Sequence, residues 1–188
     1  MILGDDKFTF ANVINEMMKK ILNEDLGRIS VEQFKNQQKN NLFLVLDNVR
    51  SALNVGSVFR TADAFAVSEI LLIGITPTPE NREVLKSSLG SEKSVEWKYF
   101  ESVNKCNKYL KDKSCSVQLV EQIDVAVSLE QFVKPSKNLA IVFGNEVNGI
   151  SDEFLNFADG AIEIPQFGTK HSLNISVSAG IVLWQLTH

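Results

Sequence analysis

Short apolar runs alternate with helical stretches through most of the chain. The apolar runs cover residues 42–49, 69–74, 94–100, 115–120, 139–144 and 160–165. The helical stretches cover residues 54–65, about 81–88, 102–112, 151–157 and 173–186. Several runs are apolar throughout, which is typical of strands that are buried on both faces. The alternation predicts an α/β domain with a mostly parallel sheet and helices on both faces.

The residues before this alternation follow a different pattern. Residues 9–23 place apolar side chains at helical spacing, which predicts a helix. A second short helix is predicted to begin at Ser30, because Ser30 and Gln33 match a capping box. We therefore predict a helical N-terminal extension over residues 1–40 and a single domain over residues 41–188.

Charge and composition exclude some classes of protein. The net charge is -4, from 19 basic and 23 acidic side chains, which argues against an evenly basic nucleic-acid-binding surface. A local basic patch could still bind RNA phosphates. No apolar stretch approaches the ~20 residues of a membrane span, and residues 1–10 lack the apolar core of a secretion signal. We expect no contact with a membrane.

The few cysteines and histidines argue against a disulfide framework and a metal site. Cys106 and Cys115 match no metal-binding or redox motif, so we expect reduced structural thiols in a cytoplasmic protein. His171 and His188 are the only histidines, which argues against a zinc site. We predict that the protein holds no metal.

Ligands of open parallel sheets bind beyond the carboxyl ends of the strands, and polar residues follow two of the predicted strands there. After the first strand, Asn54 stands at a helix N-cap position and Arg60 lies opposite the apolar stripe of that helix. After residues 139–143, Gly144 could allow a ligand to approach the backbone closely. The same residues also have explanations that need no ligand: Asn54 could be a helix cap, Arg60 a solvated arginine and Gly144 part of an ordinary turn.

The last segment combines turn residues with an unusually small helix surface. Pro165 ends a strand, Gly168 permits a bend and Ser172 is a suitable N-cap for the final helix. Val177 and Ile181 lie on the apolar side of that helix, beside a row of small residues. Small residues allow close approach of another helix or of a ligand. No segment matches the P-loop or dinucleotide-binding motifs, which argues against kinase, GTPase and dinucleotide-dehydrogenase functions. The nucleophile-elbow motif is also absent from the sequence.

Taken in order, three segments resemble the motifs of the SpoU (TrmH-type) RNA 2'-O-ribose methyltransferases of the SPOUT class. The first motif is matched by Asn54, Gly56, Arg60, Ala62 and Phe65. The second is matched by Phe143, Gly144, Asn145, Glu146 and Gly149. The third is matched by Ile164, Pro165, Gly168, Ser172, Leu173, Asn174, Ser176, Gly180 and Ile181. Ala66 and Gln166 depart from the family's usual glycine and methionine.

The resemblance implies a fold, a cofactor and a partner. The fold would contain a deep trefoil knot near the C-terminus, and S-adenosylmethionine would bind in the knot loops. The family works as a homodimer whose active site takes parts from both subunits. The cofactor residues implied for this chain are Phe143, Gly144, Asn145, Ile164, Pro165, Gln166, Gly168, Ser172 and Leu173.

The resemblance also assigns roles at the reacting ribose. Arg60 would bind the phosphate beside the target ribose and stabilise the developing alkoxide, because arginine is too strong a base to be often neutral. Asn54 would orient Arg60 or the substrate, and Glu146 would position the arginine. Ser172 and Asn174 would fix the ribose or a loop of the partner subunit.

The RNA-binding residues and the activity both have alternatives. Arg50, Arg82 and Lys86 could form a basic track for RNA phosphates, although a solvated loop and helix face explain the last two equally well. The leading hypothesis is an RNA ribose methyltransferase that acts on tRNA or ribosomal RNA. The alternative is a knotted RNA-binding or assembly protein that holds S-adenosylmethionine or its product without turnover.

Overall fold

A computed structural model describes residues 20–188 of the protein. These residues fall into two compact units, 20–30 and Val31–His188. The smaller unit contains a 3-10 helix over Asn23–Leu26. Residues 9–19 of the predicted N-terminal helix lie outside the described residues. The predicted domain division at residue 40 stays a prediction.

The larger unit is built on one seven-stranded sheet. Its strands are β1 Leu42–Asp47, β2 Glu69–Ile73, β3 Glu96–Phe100, β4 Ser116–Val120, β5 Val127–Ser128, β6 Leu139–Phe143 and β7 Gly160–Glu163. Their order is β3-β2-β1-β6-β4-β7-β5, and every neighbouring pair is parallel. The predicted parallel sheet is confirmed.

Six α-helices accompany the sheet in the larger unit. They are α1 Val31–Asn36, α2 Ala52–Ala64, α3 Arg82–Ser88, α4 Val103–Asp112, α5 Asp152–Leu155 and α6 Ile175–Thr187. Helices α2 and α6 contribute to one buried cluster, which also includes Leu44 and Leu46 of β1. Helices α4 and α5 contribute to a second cluster with Phe43 and Val45. Because successive side chains of a strand point to opposite faces, helices cover both faces of the sheet, as predicted.

A buried carboxylate fastens the loops at the carboxyl end of β1. Asp47 is fully buried, and its Oδ2 accepts a hydrogen bond from the backbone N–H of Ser151 at 2.7 Å. The side chain of Asn48 donates to Asp47 Oδ1 at 2.8 Å and accepts from the N–H of Ile75 at 3.2 Å. These bonds hold the loops after β1, β2 and β6 together.

Two features noted in the sequence, the alanine at position 66 and the pair of cysteines, can be located in the structure. Ala66, which replaces the usual glycine of the resemblance, has φ of 48° in the turn between α2 and β2. This is the left-handed region that favours glycine. Both cysteines are free, and burial raises the pKa of Cys106 to about 12 and that of Cys115 to about 11. Their thiols are therefore protonated at neutral pH.

No helix among residues 20–188 has the length and apolar character needed to cross a membrane.

Candidate active site

A cavity of about 230 Å³ opens at the carboxyl edge of the sheet. Val120, Phe143 and Glu163, the final residues of β4, β6 and β7, all line it. The loop after β6 and the segment between β7 and α6 supply the rest of its wall. This is the position expected for a ligand in an open parallel sheet.

The loop after β6 folds back onto itself at Gly144. Asn145 and Gly149 exchange backbone hydrogen bonds of 3.0 Å, and Asn145 Oδ1 accepts from the N–H groups of Val147 and Asn148. A Cβ atom built on Gly144 would lie 2.1 Å from the carbonyl carbon of Gly149. The glycine is therefore required by the loop's own backbone, which favours the turn over ligand approach, the two alternatives left open by the sequence.

Three side chains from the three motifs form one hydrogen-bonded row, which we call the polar row. Asn54 Nδ2 donates to Glu146 Oε1 at 2.9 Å, and Asn174 Nδ2 donates to Asn54 Oδ1 at 3.2 Å. Glu146 also lines the cavity, so the row begins at the cavity wall. The structure thus brings together residues that are 92 and 120 positions apart in the chain.

Two predicted helix caps are wrong. Ser51, not Asn54, is the N-cap of α2, and its side chain accepts from the N–H of Asn54 at 3.3 Å. Asn174, not Ser172, is the N-cap of α6, and its side chain accepts from the N–H of Ser176 at 2.9 Å. The N-cap of α2 lies three positions before the predicted residue, and the N-cap of α6 lies two positions after it. Because Ser51 caps α2, the side chain of Asn54 is available for the polar row.

Most of the predicted cofactor residues surround the cavity. Those that line it are Phe143, Gly144, Asn145, Ile164, Gln166, Ser172 and Leu173. Pro165 and Gly168 do not line it, and their part in cofactor binding stays a prediction. Pro165 lies two positions after the end of β7, and a Cβ atom on Gly168 would meet nothing within 4 Å.

The sequence analysis missed several polar residues of the cavity wall. Glu121 and Gln122 follow β4, Glu163 ends β7 and His171 precedes α6. None of them belongs to a motif of the resemblance. Since 115–120 was predicted as a strand of a parallel sheet, the rule that ligands bind beyond strand ends could have indicated Glu121.

Arg60 lies apart from this cavity. Its side chain is exposed, and within residues 20–188 it makes no hydrogen bond or ion pair. Six positions along an α-helix correspond to a rotation of about 120° away from Asn54. Glu146 bonds to Asn54 and not to Arg60, so the predicted contact between that glutamate and the arginine is absent from the described part of the chain.

The predicted RNA-binding residues are all exposed. Arg50 lies between β1 and α2, and Arg82 and Lys86 lie on α3. Helix α2 packs tightly against α3 at Gly56, where a Cβ atom would lie 2.0 Å from Ser87 Oγ. Arg60 follows Gly56 by one helical turn, so it lies on the side of α2 near α3.

The final helix has one buried apolar face and one exposed apolar face. Val177, Ile181 and Trp184 are exposed by 49%, 38% and 58%, and their spacing places them on one face. Most of the apolar side predicted for this helix is therefore exposed. Leu186, which was predicted on that side, is buried together with Ile175, Ala179, Val182 and Leu183. Gly180 faces α2, because a Cβ atom on it would lie 3.9 Å from Thr61 Cγ2.

No group of three or more histidine, cysteine, aspartate or glutamate side chains in the described part of the chain is arranged to hold a metal ion.

Comparison with known proteins identifies close matches in sequence and in fold. A tRNA (guanosine(18)-2'-O)-methyltransferase of Thermus thermophilus is 31% identical over 158 residues, which are 84% of this chain and 80% of that protein. The A. aeolicus TrmH/SpoU tRNA modifying enzyme has a TM-score of 0.72 at 27% identity, covering 84% of this chain and 78% of that one.

An rRNA methyltransferase of Sinorhizobium meliloti, whose crystal structure contains AdoMet, has a TM-score of 0.74 at 26% identity. The match covers 81% of this chain but only 59% of that one, so this chain spans less than two thirds of the larger protein. The model of the SpoU rRNA methylase family matches residues 41–184, which include all three motifs and the whole cavity wall. The chain belongs to the SpoU rRNA methylase family.

Proposed function

We propose that this chain transfers a methyl group from S-adenosylmethionine to a ribose 2'-hydroxyl of tRNA. The observation that carries the proposal is the polar row of Glu146, Asn54 and Asn174, which joins all three motifs beside a cavity at the carboxyl edge of the sheet. A non-catalytic protein that only binds the cofactor would have no need for this contact between the motifs. The similarity to curated tRNA (guanosine(18)-2'-O)-methyltransferases supports tRNA as the substrate, with guanosine 18 as the first nucleotide to test.

The chemistry of the cavity wall fits S-adenosylmethionine. Phe143, Ile164 and Leu173 offer apolar surface for a planar base, and the loops around them offer backbone N–H and C=O groups. Glu121 and Glu163 offer carboxylates to hydroxyl groups and to positive charge. When bound, the cofactor supplies an electrophilic methyl group on a sulfonium.

The residues of the chain would orient the ribose and stabilise the charge that develops on it. The cofactor would supply the methyl group to the ribose 2'-oxygen, and the hydroxyl proton would pass to a phosphate oxygen or to water. Arginine stays protonated at neutral pH, so Arg60 binds the neighbouring phosphate and stabilises the developing alkoxide rather than acting as the base. Asn54 and Asn174 hold the loops that position the ribose.

A second copy of the chain would complete the site. Arg60 does not line the cavity of its own chain. Because the family it resembles forms homodimers with shared active sites, Arg60 would act at the cavity of the partner subunit. The exposed apolar face of α6, formed by Val177, Ile181 and Trp184, supplies a surface for that contact. The knot and the cytoplasmic location implied earlier stay predictions. The sheet order and the structural matches are consistent with the knot.

Ile181→Asp is expected to convert the homodimer into monomers and to abolish methyl transfer. A carboxylate on the apolar face would have to be buried in the interface without a partner. Sedimentation velocity would measure the change, and Val133→Asp serves as the control because Val133 is 86% exposed in the loop between β5 and β6. A variant that stays dimeric, or a wild-type protein that is fully active as a monomer, would contradict the proposed interface.

Asn54→Asp is expected to lower kcat by about tenfold, because its carboxylate would face that of Glu146 at hydrogen-bonding distance. The double variant N54D/E146Q should recover most of the activity, since the glutamine amide can donate to the aspartate. Single-turnover methylation assays would measure both variants. Equal activity of the single and double variants would show that this contact is not needed for the reaction.

The function itself is tested by incubating the protein with S-adenosylmethionine and unmodified tRNA or ribosomal RNA. Mass spectrometry of the digested RNA should detect a 2'-O-methylated nucleoside in tRNA only. Binding of S-adenosylmethionine without any methylated product would support the non-catalytic alternative. Methylation of ribosomal RNA would support the proposed reaction but would show that the substrate is ribosomal RNA and not tRNA.

A further inference from the structure

The ionisable side chains of the cavity wall are almost all acidic. Glu121, Glu146 and Glu163 line the cavity, and His171 is the one basic residue beside them. No lysine or arginine of the described residues contributes to the wall. Such a wall attracts a ligand with net positive charge and has little attraction for a neutral one.

The three glutamates differ in their availability to a ligand. Glu146 accepts a hydrogen bond from Asn54 and belongs to the polar row. Glu121 accepts only backbone N–H groups, from Gln122 at 3.0 Å and Ile150 at 3.4 Å, and forms no ion pair with any residue of 20–188. The carboxylate of Glu163 makes no hydrogen bond or ion pair within residues 20–188, although its backbone carbonyl accepts from Leu129 at 2.8 Å. Both carboxylates are half-buried.

The substrate and product forms of the proposed cofactor differ by one charge. S-adenosylmethionine carries a sulfonium, an ammonium and a carboxylate, which sum to one positive charge at neutral pH. After methyl transfer the sulfonium becomes a neutral thioether, and the product has no net charge. We infer that Glu121 and Glu163 select the sulfonium form of the cofactor over its thioether product. This inference rests on the proposed function.

Such selection has a kinetic consequence. Because the sulfonium loses its charge as the reaction proceeds, carboxylates near it stabilise the bound cofactor more than the transition state. Glu121 and Glu163 would therefore lower the KM for S-adenosylmethionine and weaken inhibition by the product, without raising kcat. Removing one of them should change KM and leave kcat equal or slightly higher.

The test compares Glu121→Gln, Glu163→Gln and wild type by calorimetry with three ligands. S-adenosylmethionine and sinefungin carry the extra positive charge, and S-adenosylhomocysteine does not. Each variant is expected to bind the two charged ligands about tenfold more weakly and the neutral one unchanged. In wild type, raising the salt concentration should weaken binding of the charged ligands only.

Glu32→Gln is the matched control, because Glu32 is exposed on α1, does not line the cavity and loses the same charge. Thermal unfolding of each variant would verify the fold, since glutamine can still accept the backbone hydrogen bonds of Glu121. If the variants bind all three ligands equally more weakly, or bind all three as wild type does, the inferred selection is overturned while the proposed function stands. Failure of wild type to bind any of the three would overturn the proposed function as well.

Discussion

Arg60→Ala is expected to lose methyl transfer by about 100-fold or more while keeping the fold and the affinity for S-adenosylmethionine. The guanidinium is exposed and makes no hydrogen bond or ion pair among residues 20–188, so its removal should change the free energy of unfolding by less than about 0.5 kcal/mol. It does not line the cavity, so cofactor binding by the same chain should persist. Single-turnover rates, thermal unfolding and calorimetry would measure the three quantities separately.

Two further variants separate the proposed role of Arg60 from general RNA binding. Arg60→Lys keeps the charge but loses the planar, forked set of donors, so it should recover only part of the rate. Arg82→Ala removes an exposed positive charge on α3 and should weaken RNA binding without lowering the rate at saturating RNA. Parallel losses of stability and activity in Arg60→Ala would mean that the arginine has a structural role.

Gly144→Ala is expected to weaken cofactor binding by about 100-fold, because the added methyl group would overlap the backbone of the loop that forms the cavity wall. The overlapping atoms are Gly149 C at 2.1 Å, Gly149 O at 2.3 Å and Ile150 N at 2.3 Å. Since all three are backbone atoms, no rotation of a side chain relieves the overlap, and the loop must move. We also expect a loss of about 1–3 kcal/mol in the free energy of unfolding.

Gly168→Ala is the matched control for this prediction. Gly168 stands in the third motif, but a Cβ atom there would meet nothing within 4 Å and the residue does not line the cavity. This variant should bind the cofactor as wild type does. Calorimetry with S-adenosylmethionine would compare the two variants, and unchanged affinity in Gly144→Ala would show that the loop adjusts without disturbing the cavity.

The architecture of the sheet could be predicted from the sequence because several of its strands are short runs of apolar residues. Leu44 and Val45, which lie on opposite faces of β1, are both fully buried, as is typical of a parallel sheet covered on both faces. Strand ends were predicted less well, since Asn48 lies outside β1 and bonds to Asp47 and to the loop after β2. Such contacts join segments distant in the chain, so no local pattern indicates them.

The helix caps show where local propensity fails. Ser51 and Asn54 are both suitable caps, as are Ser172 and Asn174, and the choice depends on tertiary contacts. Asn54 is free to bond with Glu146 only because α2 begins three residues earlier. The motifs identified the residues of the polar row, but their mutual hydrogen bonds required the fold. Glu121 directly follows a predicted strand, but only the fold shows that Glu121 and Glu163 line the same cavity.

The position of β6 in the sheet affects how the chain folds during translation. This strand pairs with β1 on one side and β4 on the other, although both precede it in the sequence. During synthesis β1 and β4 leave the ribosome before β6 does. Until β6 emerges, the strand edges that pair with it stay unpaired. Unpaired edges of this kind invite association between nascent chains. Folding of the growing chain should therefore be slow and depend on chaperones until translation passes residue 143.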